Sequence, residues 1–320
     1  MLHAFLVNPK AGESGGADRA VPVIRAECEK LGLDYAVTLT ASADEAAQLV
    51  QSYASGGEEV RLYACGGDGT LNQIVQAAAG HDNLAVTNLP LGTGNDFLKM
   101  FGPTYQEAFW DIPALAEGPQ AAMDLIDCNG HLGLDIVCAG VDARVAKDVH
   151  NFPSRWGKGA YVLALLRNVA LHGIARPMKV TMGGQTWDEP ISLVCVCNGR
   201  YYGGGFMPVG EAMPDDGVLD TLLVKKVGRL AFARLVGDYS KGRYAKYPHL
   251  ITPYHGPEPI ILEAETPITL CVDGEILEDT RFVIGLADKK VNFFWPGQVH
   301  YRQEVAAELA AVGQTAQKLG

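Results

Sequence analysis

Residues 65–72 read Cys-Gly-Gly-Asp-Gly-Thr-Leu-Asn and mark the passage from a predicted strand to a predicted helix. An apolar run, Val60–Ala64, precedes the stretch, and apolar residues at helical spacing follow it at positions 71, 74, 75 and 78. Glycines at such a passage bring backbone N–H groups close to a ligand, and the adjoining helix N-terminus favours phosphate. A plain anion-binding turn would avoid the carboxylate of Asp68, so the stretch indicates phosphate handled together with a metal ion. By itself it is also compatible with an ordinary turn that caps a helix.

Two further loops have the same character. Residues 91–97, Leu-Gly-Thr-Gly-Asn-Asp-Phe, follow the apolar run Leu84–Thr87, and residues 8–12, Asn-Pro-Lys-Ala-Gly, follow the first strand, His3–Val7. In an open α/β sheet the loops at the carboxyl ends of the strands converge on one crevice. The three loops together therefore predict a nucleotide-phosphate site.

The common nucleotide-binding motifs are absent from the sequence. No Gly-x-x-x-x-Gly-Lys-Ser/Thr stretch occurs, which excludes a Walker-type P-loop. The Gly92-x-Gly94 pair has Phe97 where a dinucleotide fingerprint requires a third glycine, and the Gly67-x-Gly69 pair has Asn72 there.

The pairing of residues 65–72 with residues 91–97 resembles the catalytic domain of the diacylglycerol kinase and sphingosine kinase family, especially its soluble bacterial lipid kinases. Residues 8–12, 198–220 and 272–275 are similar to further elements of that family, in the same order. The sequence departs from the family at Gln73, where Glu is usual, at Ala11, where Ser is frequent, and in the loosely matching stretch 209–212. These departures concern the placement of the substrate.

The order of the predicted elements indicates two domains, as the length of 320 residues also does. Strands alternate with helices up to about residue 125, which predicts an α/β domain with a parallel sheet. Short β-rich runs follow, which predicts a mainly antiparallel β-sandwich. The resemblance implies a Rossmann-like nucleotide-binding domain of the NAD-kinase/diacylglycerol-kinase type over residues 1–125. It also implies a return of residues 299–320 to that domain, and a lipid-acceptor domain over residues 126–298.

Composition and charge limit the classes of function. The net charge of −11 argues against nucleic-acid binding. The first apolar stretch is too short for a signal peptide, and the longest apolar run, Ala160–Leu166, falls far short of the roughly 20 residues that span a bilayer. The seven cysteines are scattered without metal-type spacing, so we expect reduced thiols and a cytoplasmic protein.

Two segments are basic although the chain as a whole is acidic. Residues 144–179 and residues 225–247 each hold seven Lys or Arg against one acid. We expect them to approach an anionic membrane surface, which would make the protein peripherally membrane-associated. Solvated helix faces or dimer contacts are the alternative interpretation.

The resemblance assigns roles to individual residues. It implies that Asp273 is the general base for the acceptor hydroxyl and that Glu275 supports either Asp273 or a metal. Spacing alone is also compatible with a hairpin turn at Asp273-Gly274. Asp68 and Asp96 would hold the catalytic Mg²⁺ that accompanies ATP. The predicted ATP-binding residues are Asn8, Pro9, Lys10, Thr40, Gly66, Gly67, Asp68, Gly69, Thr70, Asn72, Gly92, Thr93, Gly94 and Asn95.

Similar lipid kinases also hold a structural Mg²⁺ in a turn that corresponds to residues 213–218 here. The implied ligands are the Asp216 carboxylate and the carbonyl groups of Met213 and Val218, with Asp215 as an alternative carboxylate. A hairpin without an ion is the other interpretation.

The sequence thus predicts an ATP-dependent lipid kinase whose acceptor is diacylglycerol or a similar single-hydroxyl lipid. A NAD kinase and a non-catalytic nucleotide-binding regulator are the two alternatives. The family is compatible with a homodimer, but nothing in the sequence shows an interface.

Overall fold

The computed structural model describes residues 1–12, 15–149 and 173–311, which form two compact units. The first unit comprises Met1–Asp124 and the described part of Asp288–Gly320, and the second comprises Leu125–Ala287. The chain therefore passes to the second unit one residue from the predicted position and returns earlier than predicted. The run Ala160–Leu166, much of the basic segment 144–179 and the end of the predicted C-terminal helix lie outside the described residues.

The first unit is built on one six-stranded sheet with the strand order β2-β1-β3-β4-β15-β5. All neighbours pair in parallel except β15 and β5, which are antiparallel. Its strands are β1 Leu2–Val7, β2 Tyr35–Leu39, β3 Val60–Gly66, β4 Leu84–Pro90, β5 Gln120–Met123 and β15 Val291–Phe294. This arrangement confirms the predicted parallel α/β sheet.

The described residues of this unit form six helices and one 3-10 helix. They are α1 Gly16–Leu31, α2 Ala43–Gly56, α3 Asp68–Ala78, the 3-10 helix Phe97–Phe101, α4 Tyr105–Ala108, α5 Ile112–Ala116 and α8 Tyr301–Ala311. Helix α1 ends at Gly32, which adopts a left-handed conformation, and the Ser42 side chain accepts the Glu45 N–H at 3.2 Å at the start of α2.

The second unit contains a nine-stranded sheet in which every pairing is antiparallel. Its described elements are β6 Ile126–Cys128, β7 His131–Gly133, β8 Ile136–Gly140, α6 Val141–Val149, β9 Arg176–Met182, β10 Gln185–Cys197, β11 Leu219–Lys225, α7 Arg229–Tyr239, a 3-10 helix Tyr244–Lys246, β12 Ile251–Gly256, β13 Ile260–Val272 and β14 Glu275–Leu286. The mainly antiparallel β domain is therefore also confirmed.

The strands β8 and β9 lie end to end between the long strands β10 and β13, because each of them pairs with both. Side chains on the two faces of this sheet belong to two separate apolar clusters. Cys195 and Cys197 lie in one cluster while Val194 and Val196 lie in the other, so the two cysteines share one buried face.

The strand β15 was expected in the second domain, but it pairs in parallel with β4 in the sheet of the first unit. The alternation of its residues could not reveal this, since a short apolar run fits an interior position of either sheet. Within the described part of the chain, no helix is both long and apolar enough to cross a membrane.

Candidate functional site

Three loops meet where the strands β1, β3 and β4 end, as the sequence predicts. A Cβ atom on Gly12, in the first loop, would lie 2.6 Å from the carbonyl oxygen of Leu91 in the third loop. The Asn8 amide donates to the hydroxyl of Thr70 at 3.0 Å and so joins the first loop to α3. The first loop therefore contacts both of the others.

The second and third loops touch backbone to backbone. A Cβ on Gly92 would lie 2.5 Å from the Cα of Gly67, which is closer than real side chains approach. The N–H groups of Leu91 and Gly92 both donate to the Gly66 carbonyl, at 3.0 and 3.2 Å. Glycine is thus required at these positions because no side chain fits between the two loops.

Helix α3 begins at this junction without a side-chain cap. Its N-cap residue, Gly67, has no side chain to accept the first N–H groups, and the helix is 11 residues long. Unpaired N–H groups and the positive end of the helix dipole make this terminus suited to an anion such as phosphate. Gly69 is exposed there, so the approach to the backbone is open.

The Asp68 carboxylate binds the third loop. It accepts the N–H groups of Asn95, at 2.9 Å, and of Asp96. A Cβ on Gly94 would lie 2.3 Å from Asp68 Oδ2 and 3.9 Å from Asp96 Oδ2, so both carboxylates reach the same small region. Asp96 is also paired with the ammonium group of Lys99.

Burial and, next, the negative charge of Asp96 raise the pKa of Asp68 to about 6. Two carboxylates that disfavour each other's charge would be stabilised by a divalent cation. Mg²⁺ is commonly held by one or two carboxylates together with substrate phosphates and water. Asp68 and Asp96 fit that requirement, although among the described residues no cluster of three or more His, Cys, Asp or Glu could hold a metal by itself.

In the second unit, Asp273 and Gly274 form the two-residue turn between β13 and β14. Both residues have positive φ, 45° and 93°, and Val272 pairs with Glu275 across the turn. The turn interpretation of this dipeptide is thus correct structurally, and it leaves the proposed role of Asp273 open. Asp273 lies in the turn and Glu275 at the start of β14, so the two residues do not share one face of a strand.

Three consecutive N–H groups surround the Asp273 carboxylate. Leu134 donates at 2.6 Å, Ile136 at 2.8 Å, and Asp135 at 3.2 Å to both oxygens. Burial raises the pKa of Asp273 and the nearby charge of Glu275 raises it further, whereas the three N–H groups act in the opposite direction. Glu275 in turn is paired with His131 at 2.7 Å between Oε2 and Nε2.

Comparison with known proteins connects both units to one group. The family model described as "Diacylglycerol kinase catalytic domain" matches residues 3–128, and "YegS C-terminal NAD kinase beta sandwich-like domain" matches residues 135–292. A Pseudomonas aeruginosa protein named "Probable lipid kinase YegS-like" is 31% identical over 216 residues, which cover 67% of this chain and 70% of that protein. The chain belongs to the YegS-like lipid kinase family.

Other comparisons agree with this family. A Pseudomonas fluorescens protein of the same name is 35% identical over 192 residues, which cover 59% of this chain and 62% of that protein. The crystal structure of a diacylglycerol kinase from Bacillus anthracis superposes with a TM-score of 0.66 at 22% identity, covering 93% of this chain and 98% of the other. That likeness establishes the fold.

The remaining predicted residues of this YegS-like chain differ in their surroundings. Pro9, Lys10 and Thr93 are exposed beside the junction of the loops, whereas Asn95 is buried and donates to the Gly92 carbonyl at 2.7 Å. Thr40 is 7% exposed and its N–H donates to the Val7 carbonyl at 2.9 Å.

Asn72 is also buried, at 2% exposure, and its side-chain amide has no hydrogen-bond partner among the described residues.

The turn at residues 213–218 precedes β11. Asp216 is exposed and its carboxylate accepts the Val218 N–H at 3.2 Å, while Asp215 is half-buried. The turn thus presents the predicted carboxylate at the surface, one residue after a partly buried alternative.

Sequence reasoning missed several polar residues at these sites. Lys99 could have been found, because it follows Asp96 by three residues and so lies on the same helical face. His131 had no local signal, since its partner Glu275 is 144 residues away. Asp142 is also hidden: it lines an apolar pocket in the second unit and pairs with the Tyr202 hydroxyl.

Proposed function

We propose that the protein transfers the γ-phosphoryl group of ATP to the hydroxyl of a lipid, with diacylglycerol as the first candidate and phosphatidic acid as its product. One observation carries this proposal: three loops meet at the uncapped N-terminus of α3, beside the paired carboxylates of Asp68 and Asp96. Family membership supports it. Phosphoryl transfer asks a protein chiefly for positioning and charge neutralisation, which these groups would supply.

In this proposal the nucleotide phosphates bind to the amides of the glycines in the loops and to the start of α3. The Thr70 hydroxyl oxygen accepts a hydrogen bond from the side-chain amide of Asn8, so the hydroxyl hydrogen points away from Asn8. Thr70 therefore suits a phosphate contact, in which this hydrogen would be donated to a phosphate oxygen. Lys10 and Thr93 are exposed, so their side chains could contact the phosphates. Asp68 and Asp96 would hold Mg²⁺, which when bound neutralises charge on the phosphate oxygens.

Asp273 would accept the proton of the acceptor hydroxyl. As the hydroxyl oxygen bonds to the γ-phosphorus, the bond to the bridging oxygen breaks and ADP leaves with its electron pair. The pKa of Asp273, raised by burial, favours uptake of that proton. Its three N–H contacts fix the carboxylate in place, and Glu275 would support its basicity.

The apolar part of the acceptor would bind in the second unit. A small apolar cavity there, of about 20 Å³, is lined by residues such as Leu193, Phe206 and Phe232 together with the carboxyl of Asp142, and an acyl chain would have to widen it. A structural Mg²⁺ at Asp216 and the carbonyl groups of Met213 and Val218 remains part of the proposal. Its test is a rise in melting temperature on adding Mg²⁺ without ATP, which Asp216→Ala should abolish.

The function is tested by incubating the chain with labelled ATP and Mg²⁺ against diacylglycerol, a sphingoid base, phosphatidylglycerol and NAD. Label in a lipid supports the proposal, label in NAD supports a NAD kinase, and tight ATP binding without transfer supports a regulator. Asp273→Asn should lower lipid phosphorylation by at least about 100-fold, the scale of a lost general base.

Asp188→Asn is the matched control, because Asp188 is an exposed carboxylate on β10 of the same unit. Circular dichroism must establish that Asp273→Asn is folded, since its amide nitrogen cannot accept the N–H groups that the carboxylate oxygen accepts. Full activity in folded Asp273→Asn would refute the proposed base.

A further inference from the structure

Leu230 stands out on the surface of the second unit. It is 82% exposed, the highest value among the large hydrophobic residues of the described chain. It lies in the first turn of α7 (Arg229–Tyr239), two residues after the exposed Gly228. An exposed leucine at the tip of a helix costs free energy in water unless another surface covers it.

The outer face of α7 carries no acid. Its exposed positions are Leu230, Ala233, Arg234 and Gly237, which recur at helical spacing, and Arg229 adds a second cation at the same end. The only acid of the helix, Asp238, is half-buried and contacts both Lys246, at 2.8 Å, and Arg243, at 3.6 Å. The outer face is therefore cationic around an apolar centre.

The surrounding segment has the same sign. Residues 225–247 contain seven Lys or Arg and one acid, in a chain whose net charge is −11. Lys225 and Lys226 lie four and three residues before Arg229, the first residue of α7. Such a local excess of positive charge attracts an anionic surface.

The inner face of the same helix lines the apolar pocket described above, through Phe232, Leu235, Val236 and Tyr239. One helix therefore carries apolar pocket wall on one side and the exposed Leu230 on the other. If α7 lies on a bilayer surface, the pocket behind it lies at the level at which a lipid leaves the membrane.

We propose that the outer face of α7 is the membrane-contact surface of this protein, with Leu230 entering the headgroup region of an anionic bilayer and Lys226, Arg229 and Arg234 meeting lipid phosphates. The inference rests on the proposed function and names the partner that delivers its acceptor. A patch of cations around one apolar residue matches an anionic interface better than it matches an acidic protein surface, which would leave Leu230 without an apolar partner.

The test is sedimentation of the full chain with phosphatidylglycerol/phosphatidylcholine vesicles, without ATP, so that no turnover is needed. Each cation near an anionic surface contributes a factor of about five, so Arg229→Glu/Arg234→Glu should weaken binding by at least about tenfold. Leu230→Ser should weaken it by about tenfold through loss of a buried side chain. Pure phosphatidylcholine should bind weakly in every case.

Two matched controls come from α1 of the first unit, where Val23 is 49% exposed and Arg25 is exposed. Val23→Ser and Arg25→Glu should leave vesicle binding unchanged. Equal binding by the α7 variants and the wild type would overturn the inference, as would a change in oligomeric state without a change in vesicle binding.

Phosphorylation of a short-chain, monomeric diacylglycerol separates the two proposals. The α7 variants should retain it, because they change access to vesicles and leave the loops intact. If no lipid is phosphorylated while the vesicle result holds, the proposed function fails and the membrane surface stands.

Discussion

At the residue scale, His3 makes stability depend on pH. It is 4% exposed, its Nδ1 lies 2.9 Å from the Tyr63 hydroxyl, and burial followed by the charge of Arg61 lowers its pKa from 6.5 to about 4. The unfolded chain takes up the proton near pH 6.5 and the folded chain only near pH 4. The stability that depends on neutral His3 is therefore present above about pH 6.5 and is lost as the pH falls towards 4.

His3→Gln should reduce this acid-induced loss, which is on the order of 2–3 kcal/mol for the wild type. Urea unfolding at pH 7 and at pH 4.5 gives the difference for each protein. His249→Gln changes an exposed histidine and should lose as much stability as the wild type does. Identical losses in all three proteins would show that His3 is not the group responsible.

A second residue-scale prediction concerns Glu275. Its negative charge raises the pKa of Asp273, so Glu275→Gln should lower that pKa. If Asp273 is the base, the acidic limb of the profile of kcat/KM against pH moves to lower pH. His131→Gln removes the partner of Glu275 but keeps the carboxylate, and it should not produce that movement. An unmoved limb in Glu275→Gln would argue that another group titrates.

At the element scale, the close approach of the second and third loops predicts opposite effects for two glycines. Gly92→Ala would place a methyl group 2.5 Å from the Gly67 Cα, and backbone cannot move aside as a flexible side chain can. We expect a loss of about 1–3 kcal/mol and a weaker affinity for ATP, because the loops must separate.

Gly69→Ala is the counterpart in the same glycine-rich stretch. No atom lies within 4 Å of its added Cβ, and the residue is in the first turn of α3. Alanine there should be neutral or stabilising by about 0.5–1 kcal/mol. Thermal unfolding of both variants measures the contrast, and equal melting temperatures would mean that the loops do not constrain each other.

The elements also show which information is local in the sequence. The three loops were predictable because each directly follows an apolar run, and parallel strands bring their carboxyl ends to one edge. The hydrogen bonds that hold the Asp273 carboxylate were not predictable, because their N–H donors at residues 134–136 lie about 140 positions away in the chain.

At the scale of the whole molecule, the least predictable feature is the return of the chain. The sequence predicts alternating strands and helices up to about residue 125 and short β-rich runs after it, and the structure divides at residue 124. The four residues of β15 resemble the β-rich runs before them, so no local pattern assigns them to the first sheet. Its pairing with β4 on one side and β5 on the other decides its place, and both of these partners lie far away in the sequence.

This return makes the first unit depend on the end of the chain. Phe293 and Phe294 of β15 are both fully buried: the Phe293 ring lies 5.0 Å from that of Phe97, and the Phe294 ring lies 5.1 Å from that of Tyr63. Loss of one buried phenylalanine costs about 3–5 kcal/mol, which for two approaches the whole stability of a typical domain. A chain ending at Ala287 should therefore fail to fold its first unit.

Limited proteolysis with mass spectrometry tests this expectation. The chain 1–287 should be digested throughout residues 1–124, while a fragment near residues 125–287 survives, because every strand of the second sheet lies within it. The double variant Phe293→Ala/Phe294→Ala keeps the full length and should show the same pattern. Protection of residues 1–124 in both would mean that the first unit folds without the contribution of β15.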